Sequence, residues 1–236
     1  MNSLLSQKCY RESRRSAAYL FGVLAVALAC VPAHAGLLLG SATDKNNEAV
    51  KDAVIFATAV DAPAEAAKAP AQAVVTQENY TITPYVTVIR AGTSVRFPNR
   101  DAHEHHIKSF SPTKTFEQRI SNKREEPPIL FDKTGEVALV CHFHDWMRGY
   151  IYVVDTPFYG KTDKAGNAVL NDLPAGKYEI KAWTPSMLSA PLTQTVQIGT
   201  TGSTSVKFHF DFVPKPAPAP RPPKAKPAAA DYGMSY

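Results

Sequence analysis

The chain places a thiol, an imidazole and a thioether at regular spacing in the run Cys141-His142-Phe143-His144-Asp145-Trp146-Met147. Cys141, His144 and Met147 are three residues apart, which puts all three on one short loop. Further histidines lie upstream in the run His103-Glu104-His105-His106. One Cys and two His in a trigonal set, with a long weak bond to Met, form a blue-copper electron-transfer site. Zinc usually takes four strong ligands, so this donor mix favours copper.

Residues 1–35 have the pattern of a secretory signal peptide. Four Lys and Arg residues come before an apolar run over residues 17–31, and an Ala-x-Ala cleavage pattern ends at Ala35. The apolar run is shorter than the ~20 residues that a spanning helix needs, so we expect no membrane span. The sequence therefore predicts export to the periplasm. A lipoprotein is the minor alternative, from the weak lipoprotein box at residues 27–30.

Export leaves Cys141 as the only cysteine of the mature chain, because Cys9 and Cys30 lie in the leader. A lone thiol cannot form an internal disulfide, and an oxidising compartment is a poor place for a reactive thiol. A buried, inert side chain is the alternative fate for Cys141. With histidines and a methionine nearby, metal ligation is the better interpretation.

The chain has 26 basic and 21 acidic residues, but the basic excess lies at its two ends. Four Lys and Arg lie in the leader and four in the tail at residues 214–236, against one acidic residue in each. The body between them is near neutral, and we expect no nucleic acid as a partner. The Pro/Ala/Lys-rich tail is predicted to be a disordered, extended spacer. A weak contact with an anionic envelope surface, through its four cations, is its alternative role.

The body has the period-two alternation of an all-β protein. Val137, Leu139 and Cys141 share one face of a predicted strand, and residues 150–154 form another just after Met147. No amphipathic helix follows the leader. Many short strands with regular turns favour a β-sandwich. Further strands are predicted at residues 86–88, 95–97, 178–183, 195–198 and 205–212.

We predict two sandwiches in this body. Residues 72–155 form the unit that carries the Cys141 loop, after an Ala/Pro-rich linker at residues 61–71. Residues 36–60 and 156–213 form a second, small sandwich that is discontinuous in sequence. Turn and core residues of these flanks, such as those from Leu173 to Tyr178, resemble those of carboxypeptidase-regulatory-like domains.

Two motifs resemble a known family. Cys141-x2-His144-x2-Met147-Arg148-Gly149 is similar to the short ligand loop of amicyanin, and Phe97-Pro98-Asn99-Arg100-Asp101 followed by His105 is similar to a first-ligand region. Residues 97–154 thus resemble the cupredoxins, the plastocyanin, azurin and amicyanin family of single-copper electron carriers. Residues 105–111 and 144–151 look more closely still like cupredoxin-like proteins labelled methylamine-utilisation proteins. The resemblance implies a Greek-key β-sandwich that holds one type-1 copper per chain.

The resemblance also implies a ligand set. His105 supplies the upstream imidazole, because His105 and Ile107 fall on one face of a strand and Ile107 is expected in the core. His106 is the alternative ligand, since a one-residue slip in register exchanges the two faces. The other ligands are the thiolate of Cys141, the second imidazole of His144 and the axial thioether of Met147.

Four further residues are predicted to support or surround the site. Asn99 ties the two ligand loops by side-chain hydrogen bonds, which fixes ligand orientation; its alternative is an ordinary turn residue. Asp145 stands where related loops carry a proline, and its carboxylate is expected to favour the protonated ring of His144. Phe143 and Trp146 flank that histidine and form an apolar docking rim, with core packing as the alternative for Trp146.

The sequence thus predicts an exported type-1 copper protein that carries single electrons between a donor and an acceptor protein in transient complexes. The alternative is an envelope copper-handling or copper-sensing protein. We expect no enzyme, because multicopper oxidases and copper nitrite reductases need further sets of histidines. Outside the leader, the chain has only His103, His106, His142 and His209 left for such a set.

Overall fold

The computed structural model describes residues 35–61 and 72–221 of the chain. In these two ranges the chain forms β-strands and no helix, which confirms the all-β prediction. The strands up to the Cys141 loop are β1 (Ala35–Thr43), β2 (Val54–Ala59), β3 (Gln72–Val74), β4 (Thr76–Glu78), β5 (Thr81–Thr83), β6 (Val86–Arg90), β7 (Thr93–Arg96), β8 (His105–Ser111), β9 (Lys114–Ile120), β10 (Ile129–Phe131) and β11 (Gly135–Cys141). Those after the loop are β12 (Arg148–Val154), β13 (Phe158–Lys161), β14 (Asn167–Pro174), β15 (Gly176–Trp183), β16 (Leu192–Ile198) and β17 (Ser203–His209).

The strands between residues 72 and 155 form one set of sheets, and the flanking strands form another. A five-stranded sheet with the order β6-β12-β11-β8-β9 carries both predicted ligand segments, beside the sheet β10-β7-β3 and the hairpin β4-β5. The flanks form the sheets β14-β1-β17 and β13-β2-β15-β16. Every strand pair in the described ranges joins two strands of the same set. On this pairing we propose the discontinuous division into two sandwiches as the domain organisation.

Two hydrophobic clusters fill the interior, and β12 contributes to both. Ile151 and Val153 belong to the cluster that also contains Cys141, whereas Tyr152 and Val154 belong to the cluster of the flanking sheets. Successive side chains of a strand point to opposite faces, so β12 presents alternate residues to the two cores. Tyr152 stacks on Trp183 of β15 with ring centroids 4.6 Å apart. The five-stranded sheet is therefore packed on both sides, which holds the ligand segments rigidly.

The predicted ends of the chain fall mostly beyond the described ranges. The signal peptide, nearly all of the linker and residues 222–236 lie outside them. Residues 214–221 of the tail are described, and Pro216 and Pro218 line a groove together with Tyr85, Trp146 and Arg148. These residues differ from the expected free spacer, because they lie against the body. In residues 35–61 and 72–221 we find no helix of the length and apolarity that a bilayer crossing requires.

Candidate metal centre

Three potential ligand atoms converge at one end of the five-stranded sheet. The Nδ1 atoms of His105 and His144 lie 3.8 Å and 3.6 Å from the Sγ atom of Cys141. The donor atoms of these three residues all lie within 4.8 Å of one another. Each of the three side chains is buried. The structure therefore brings together three of the four residues that the sequence predicts as ligands, through atoms that can bind a metal.

The separations match those of a bound metal. Nitrogen at ~2.0–2.1 Å and sulfur at ~2.3 Å from one ion lie about 3.6 Å apart at tetrahedral angles and about 3.8 Å apart at trigonal angles. The two observed separations cover this range. Two imidazoles and a thiolate also suit copper by their softness. In these two separations and in their donor atoms, the residues present thus fit a copper ion.

The register of β8 and β11 produces this convergence. Cys141 pairs with Ile107 across the two strands, so their side chains lie on the same face of the sheet. His105 is two residues from Ile107 and shares that face, and it is fully buried. His105 and Cys141 are therefore diagonal neighbours on adjacent strands, which is within reach of a long or aromatic side chain.

The surroundings of Cys141 favour its thiolate. Burial by itself would raise the pKa of this thiol. The contact with His105 and the hydrogen bonds from the backbone N–H groups of His106 and Phe143 outweigh burial and lower the pKa below its usual value. The thiolate is the form that binds metals. Cys141 is also a free cysteine in the structure.

The second nitrogen of His105 has a carboxylate partner that the sequence analysis missed. Nε2 of His105 lies 2.9 Å from Oδ2 of Asp101, and both side chains are buried or nearly so. Burial alone would lower the pKa of His105, but its contacts with Cys141 and Asp101 outweigh burial and raise it. With a proton on Nε2, the lone pair of Nδ1 is free to face Cys141.

His144 lies in different surroundings from those expected. Its pKa is lowered by burial and then by the neighbouring His105 and His103 rings. Asp145 is exposed and does not contribute to this shift. The effect of Asp145 on the protonation of His144 therefore stays a prediction. A lowered pKa keeps the imidazole neutral, which is the form that binds a metal.

Hydrogen bonds close the loop that carries Met147. The backbone N–H of Cys141 donates to the carbonyl oxygen of Met147 at 3.1 Å, and the N–H of Met147 donates to the carbonyl oxygen of His144 at 3.0 Å. The Met147 side chain is buried in the same hydrophobic cluster as Cys141. The backbone of the predicted axial residue is thus fixed by hydrogen bonds to two of the predicted ligands.

Asn99 stabilises the His105 loop rather than joining the two ligand loops. Its Nδ2 donates to the carbonyl oxygens of His103 and Ile120 at 2.7 Å and 3.1 Å. Its Oδ1 accepts from the backbone N–H of Asp101 at 2.9 Å. The expected hydrogen bond to the Cys141 loop is not among those of the described residues. Asn99 therefore fixes the segment that leads into β8.

His106, the alternative ligand, is also buried, but its ring packs beside His142 and Phe143 and is not part of the cluster of His105, Cys141 and His144. Its ring is 5.7 Å from the ring of His142 and 5.8 Å from that of Phe143, centroid to centroid. Phe143 is 47% exposed, as expected for a docking rim. Trp146 is only half-buried, but its ring packs 5.2 Å from that of His144. Trp146 thus packs against a predicted ligand and leaves part of its side chain exposed, and its docking role stays a prediction.

Tyr80 is the second site residue that the sequence analysis missed. It lies in the turn between β4 and β5, and its ring is 5.8 Å from the ring of His105 and 5.1 Å from that of His144. Both contacts are edge-on, at 79° and 78°. Asn79 in the same turn is the sequence signal that could have located the hairpin. The hairpin places an aromatic ring against both imidazoles.

No protein-family model and no curated protein matches this chain. Several solved structures are similar to part of it, and they include cupredoxins, the family that the two motifs resemble. A purple cupredoxin from Nitrosopumilus maritimus has 25% identity and a TM-score of 0.31, over 36% of this chain and 100% of its own. Amicyanin from Paracoccus versutus has 22% identity and a TM-score of 0.31, over 42% and 98%. A copper-containing nitrite reductase from Thermus scotoductus has 25% identity and a TM-score of 0.34, over 41% of this chain and only 25% of its own.

Proposed function

We propose that this protein is an exported type-1 copper protein that carries single electrons between redox partners. The observation that carries the proposal is the convergence of Cys141 Sγ with the Nδ1 atoms of His105 and His144, all buried. Copper in such a set cycles between its two oxidation states. His105, Cys141 and His144 would hold the ion, and Met147 would supply the weak axial thioether.

The rigidity of the site supports the carrier role. β8 and β11 fix His105 and Cys141, and backbone hydrogen bonds fix the loop between Cys141 and Met147. Ligands that cannot move keep the same arrangement in both oxidation states. Such a site favours fast electron transfer and does not favour release of the metal. The exposed ring of Phe143 lies one residue from His144 and gives a donor or acceptor protein a small apolar contact. Transient redox complexes use interfaces of this small size.

A cysteine–histidine catalytic site is the competing chemistry that the geometry suggests. Cys141, His105 and Asp101 follow one another in the order of a nucleophile, a base and an orienting carboxylate. However, Cys141 is only 4% exposed and packs within a hydrophobic cluster, so its sulfur has no room for a substrate carbonyl. A second imidazole, that of His144, also occupies the space a substrate would need.

A copper enzyme with a second metal site is disfavoured by the placement of the other histidines. Among the described residues, the rings of His106 and His142 lie beside each other, and the groups of three or more candidate metal ligands include no other cluster than His105, Cys141 and His144. Two histidines fall short of the set that a coupled or catalytic second copper needs. We therefore propose a carrier without catalytic activity of its own.

The proposal is tested by visible and EPR spectra of the purified protein titrated with Cu(II). We expect an intense blue thiolate-to-copper band and narrow copper hyperfine splitting, saturating at one copper per chain. The Cys141→Ser variant should bind copper without this band. A colourless native complex with an ordinary type-2 spectrum would contradict the proposal.

An envelope copper-handling protein remains the second candidate, because the same ligands would also retain copper for delivery. The two candidates differ in kinetics. A carrier shows a reversible potential and fast electron self-exchange between copies, whereas a handling protein passes copper to a chelator or partner faster than it exchanges electrons. We also propose periplasmic location, which mass spectrometry tests: the exported chain should begin at Gly36.

A further inference from the structure

The carboxylate of Asp101 is the meeting point of three donors beside the candidate metal centre. Its Oδ2 lies 2.9 Å from Nε2 of His105 and accepts from the backbone N–H of Tyr80 at 3.0 Å. Its Oδ1 accepts from the backbone N–H of Asn79 at 2.7 Å. The side chain is only 9% exposed. Asp101 is therefore held from one side by a turn and directed at a predicted ligand on the other.

The turn that Asp101 holds has an unusual backbone. Asn79 and Tyr80 both have positive φ angles, of 53° and 56°. Asn adopts this left-handed conformation readily, but a bulky aromatic residue adopts it only under backbone strain. Such strain persists only where surrounding contacts impose it. Here the backbone N–H groups of Asn79 and Tyr80 both donate to the carboxylate of Asp101.

The strained conformation directs the Tyr80 ring to the site. The ring lies edge-on to the imidazoles of both His105 and His144. It thereby covers two rings that come from different segments, β8 and the Cys141 loop. The carboxylate of Asp101 thus contacts both the His105 ring and the turn that positions the Tyr80 ring against the two histidines.

We propose that Asp101 is a positioning residue that holds His105 with its proton on Nε2 and its Nδ1 lone pair towards the metal. A metal-bound histidine commonly donates its other N–H to a carboxylate, which fixes the tautomer and makes the ring a stronger ligand. The effect of Asp101 on the metal rests on the copper function proposed above. The orientation of His105 in the metal-free protein does not depend on that function.

The negative charge gives Asp101 a second effect, on the two oxidation states. A buried carboxylate stabilises the more positive Cu(II) more than Cu(I), because the attraction scales with the charge of the ion. Asp101 should therefore lower the reduction potential. Asp101→Asn keeps the shape and one oxygen acceptor but removes the charge and the second acceptor, since both carboxylate oxygens accept hydrogen bonds in the native protein. Asp101→Ala removes the whole group, so the difference between the two variants reports what a single remaining acceptor contributes.

Glu104→Gln is the matched control. Glu104 is exposed and precedes His105 directly, so this change removes one carboxylate from the same loop. No hydrogen bond joins Glu104 to the His105 ring among the described residues. The control therefore shows how much of any change in the Asp101 variants comes merely from the loss of a negative charge near the site. Thermal unfolding of each variant reports whether it is folded.

The first measurement is the tautomer of His105 by nitrogen NMR of the metal-free protein, at a pH where the ring is neutral. We expect the proton on Nε2 in the native protein and in Glu104→Gln, and a mixture of tautomers in Asp101→Ala. A native ring with its proton on Nδ1 would overturn the inference, whether or not the protein binds copper. The readout is independent of the blue spectrum, so the inference and the proposed function can fail separately.

The second measurement is copper affinity and reduction potential. Asp101→Ala should lose about ten- to a hundredfold in Cu(II) affinity, the usual effect of removing such a partner. Asp101→Asn should lose less affinity and have a higher potential than the native protein. If both variants match Glu104→Gln in affinity and potential, Asp101 has no part in positioning the ligand. The Asn variant keeps this test decisive if the Ala variant fails to fold.

Discussion

The backbone N–H of Cys141 donates to the carbonyl oxygen of Met147 at 3.1 Å, across the loop that joins β11 to β12. Because this hydrogen bond joins the two ends of the loop, the residues between them cannot separate without breaking it. His144 lies in the middle and accepts from the N–H of Met147. The spacing of the three residues in the sequence therefore corresponds to a closed turn that presents all three to one point.

Met147 is expected to tune the copper rather than to hold it. Its side chain is 1% exposed, and Leu has nearly the same volume, so Met147→Leu should change the free energy of unfolding of the metal-free protein by less than about 1.5 kcal/mol. Loss of the weak axial donor destabilises Cu(II) relative to Cu(I). We expect a retained blue band and a higher reduction potential, measured by voltammetry. Loss of the blue band in a folded variant would show that Met147 is essential to the site.

The two adjacent histidines of β8 give a direct test of the ligand assignment. His105 lies 3.8 Å from Cys141 through Nδ1, whereas Nε2 of His106 lies 3.7 Å from Oε2 of Glu117 at the surface. His105→Ala should abolish the blue band and weaken copper binding by more than the ~10–100-fold that an outer partner contributes. His106→Ala should keep the band and the affinity. The reverse result would mean that β8 binds copper in the alternative register.

The ligand positions could be predicted because they depend on local rules. The spacing of Cys141, His144 and Met147 is visible in the chain, and the assignment of His105 over His106 follows from the two-residue period of a strand. These rules also located β11 and β12 closely. The same rules do not locate β9. It is an edge strand, and its outward-facing Glu117 and Arg119 make its apolar face hard to recognise in the sequence.

Asp101 and Tyr80 could not be predicted in the same way. Tyr80 reaches the site through contacts between segments that are distant in the sequence. Asp101 lies only four residues from His105, at the end of the Phe97–Asp101 motif, but nothing in the sequence shows that its carboxylate contacts that ring. The hairpin β4-β5 is short and polar, so its hydrophobic period is too weak to locate it. Its position depends on Asp101, whose carboxylate receives the N–H groups of the turn. Only the tertiary structure relates these residues to His105.

Gly149, just after the ligand loop, is expected to be needed for the close approach of β12 to β5. A Cβ atom at this position would lie 2.6 Å from Cγ2 and 3.1 Å from Cβ of Ile82. Gly149→Ala should therefore lower the free energy of unfolding by about 1–3 kcal/mol, measured by urea denaturation. It should also shift the blue band, because Ile82 belongs to the hairpin that carries Tyr80.

Gly176→Ala is the control for this effect. A Cβ atom there would meet only the Tyr178 ring, at 3.7 Å, an ordinary contact. We expect a small change in stability and an unchanged spectrum. Equal destabilisation by the two substitutions would mean that the contact between Gly149 and Ile82 has no special role.

Glu136 on β11 is expected to make the stability of the protein depend on pH. Burial raises the pKa of its carboxyl, against a smaller lowering effect of a hydrogen bond from Trp183. Between the unfolded pKa, about 4.3, and the raised folded value, the folded protein binds more protons than the unfolded chain. Stability must therefore fall as the pH rises through this window, and the cost of the buried charge is fully present above it.

Glu136→Gln removes this cost while it keeps an oxygen acceptor for Trp183. The variant should be more stable than the native protein at neutral pH, with a gain that shrinks towards about pH 4, where the native carboxyl is protonated. Melting temperatures of the metal-free proteins across this range give the comparison, with the exposed Glu104→Gln as the control. A gain that does not vary with pH would show that Glu136 affects stability by packing, since only the ionised carboxylate carries a cost that protonation removes.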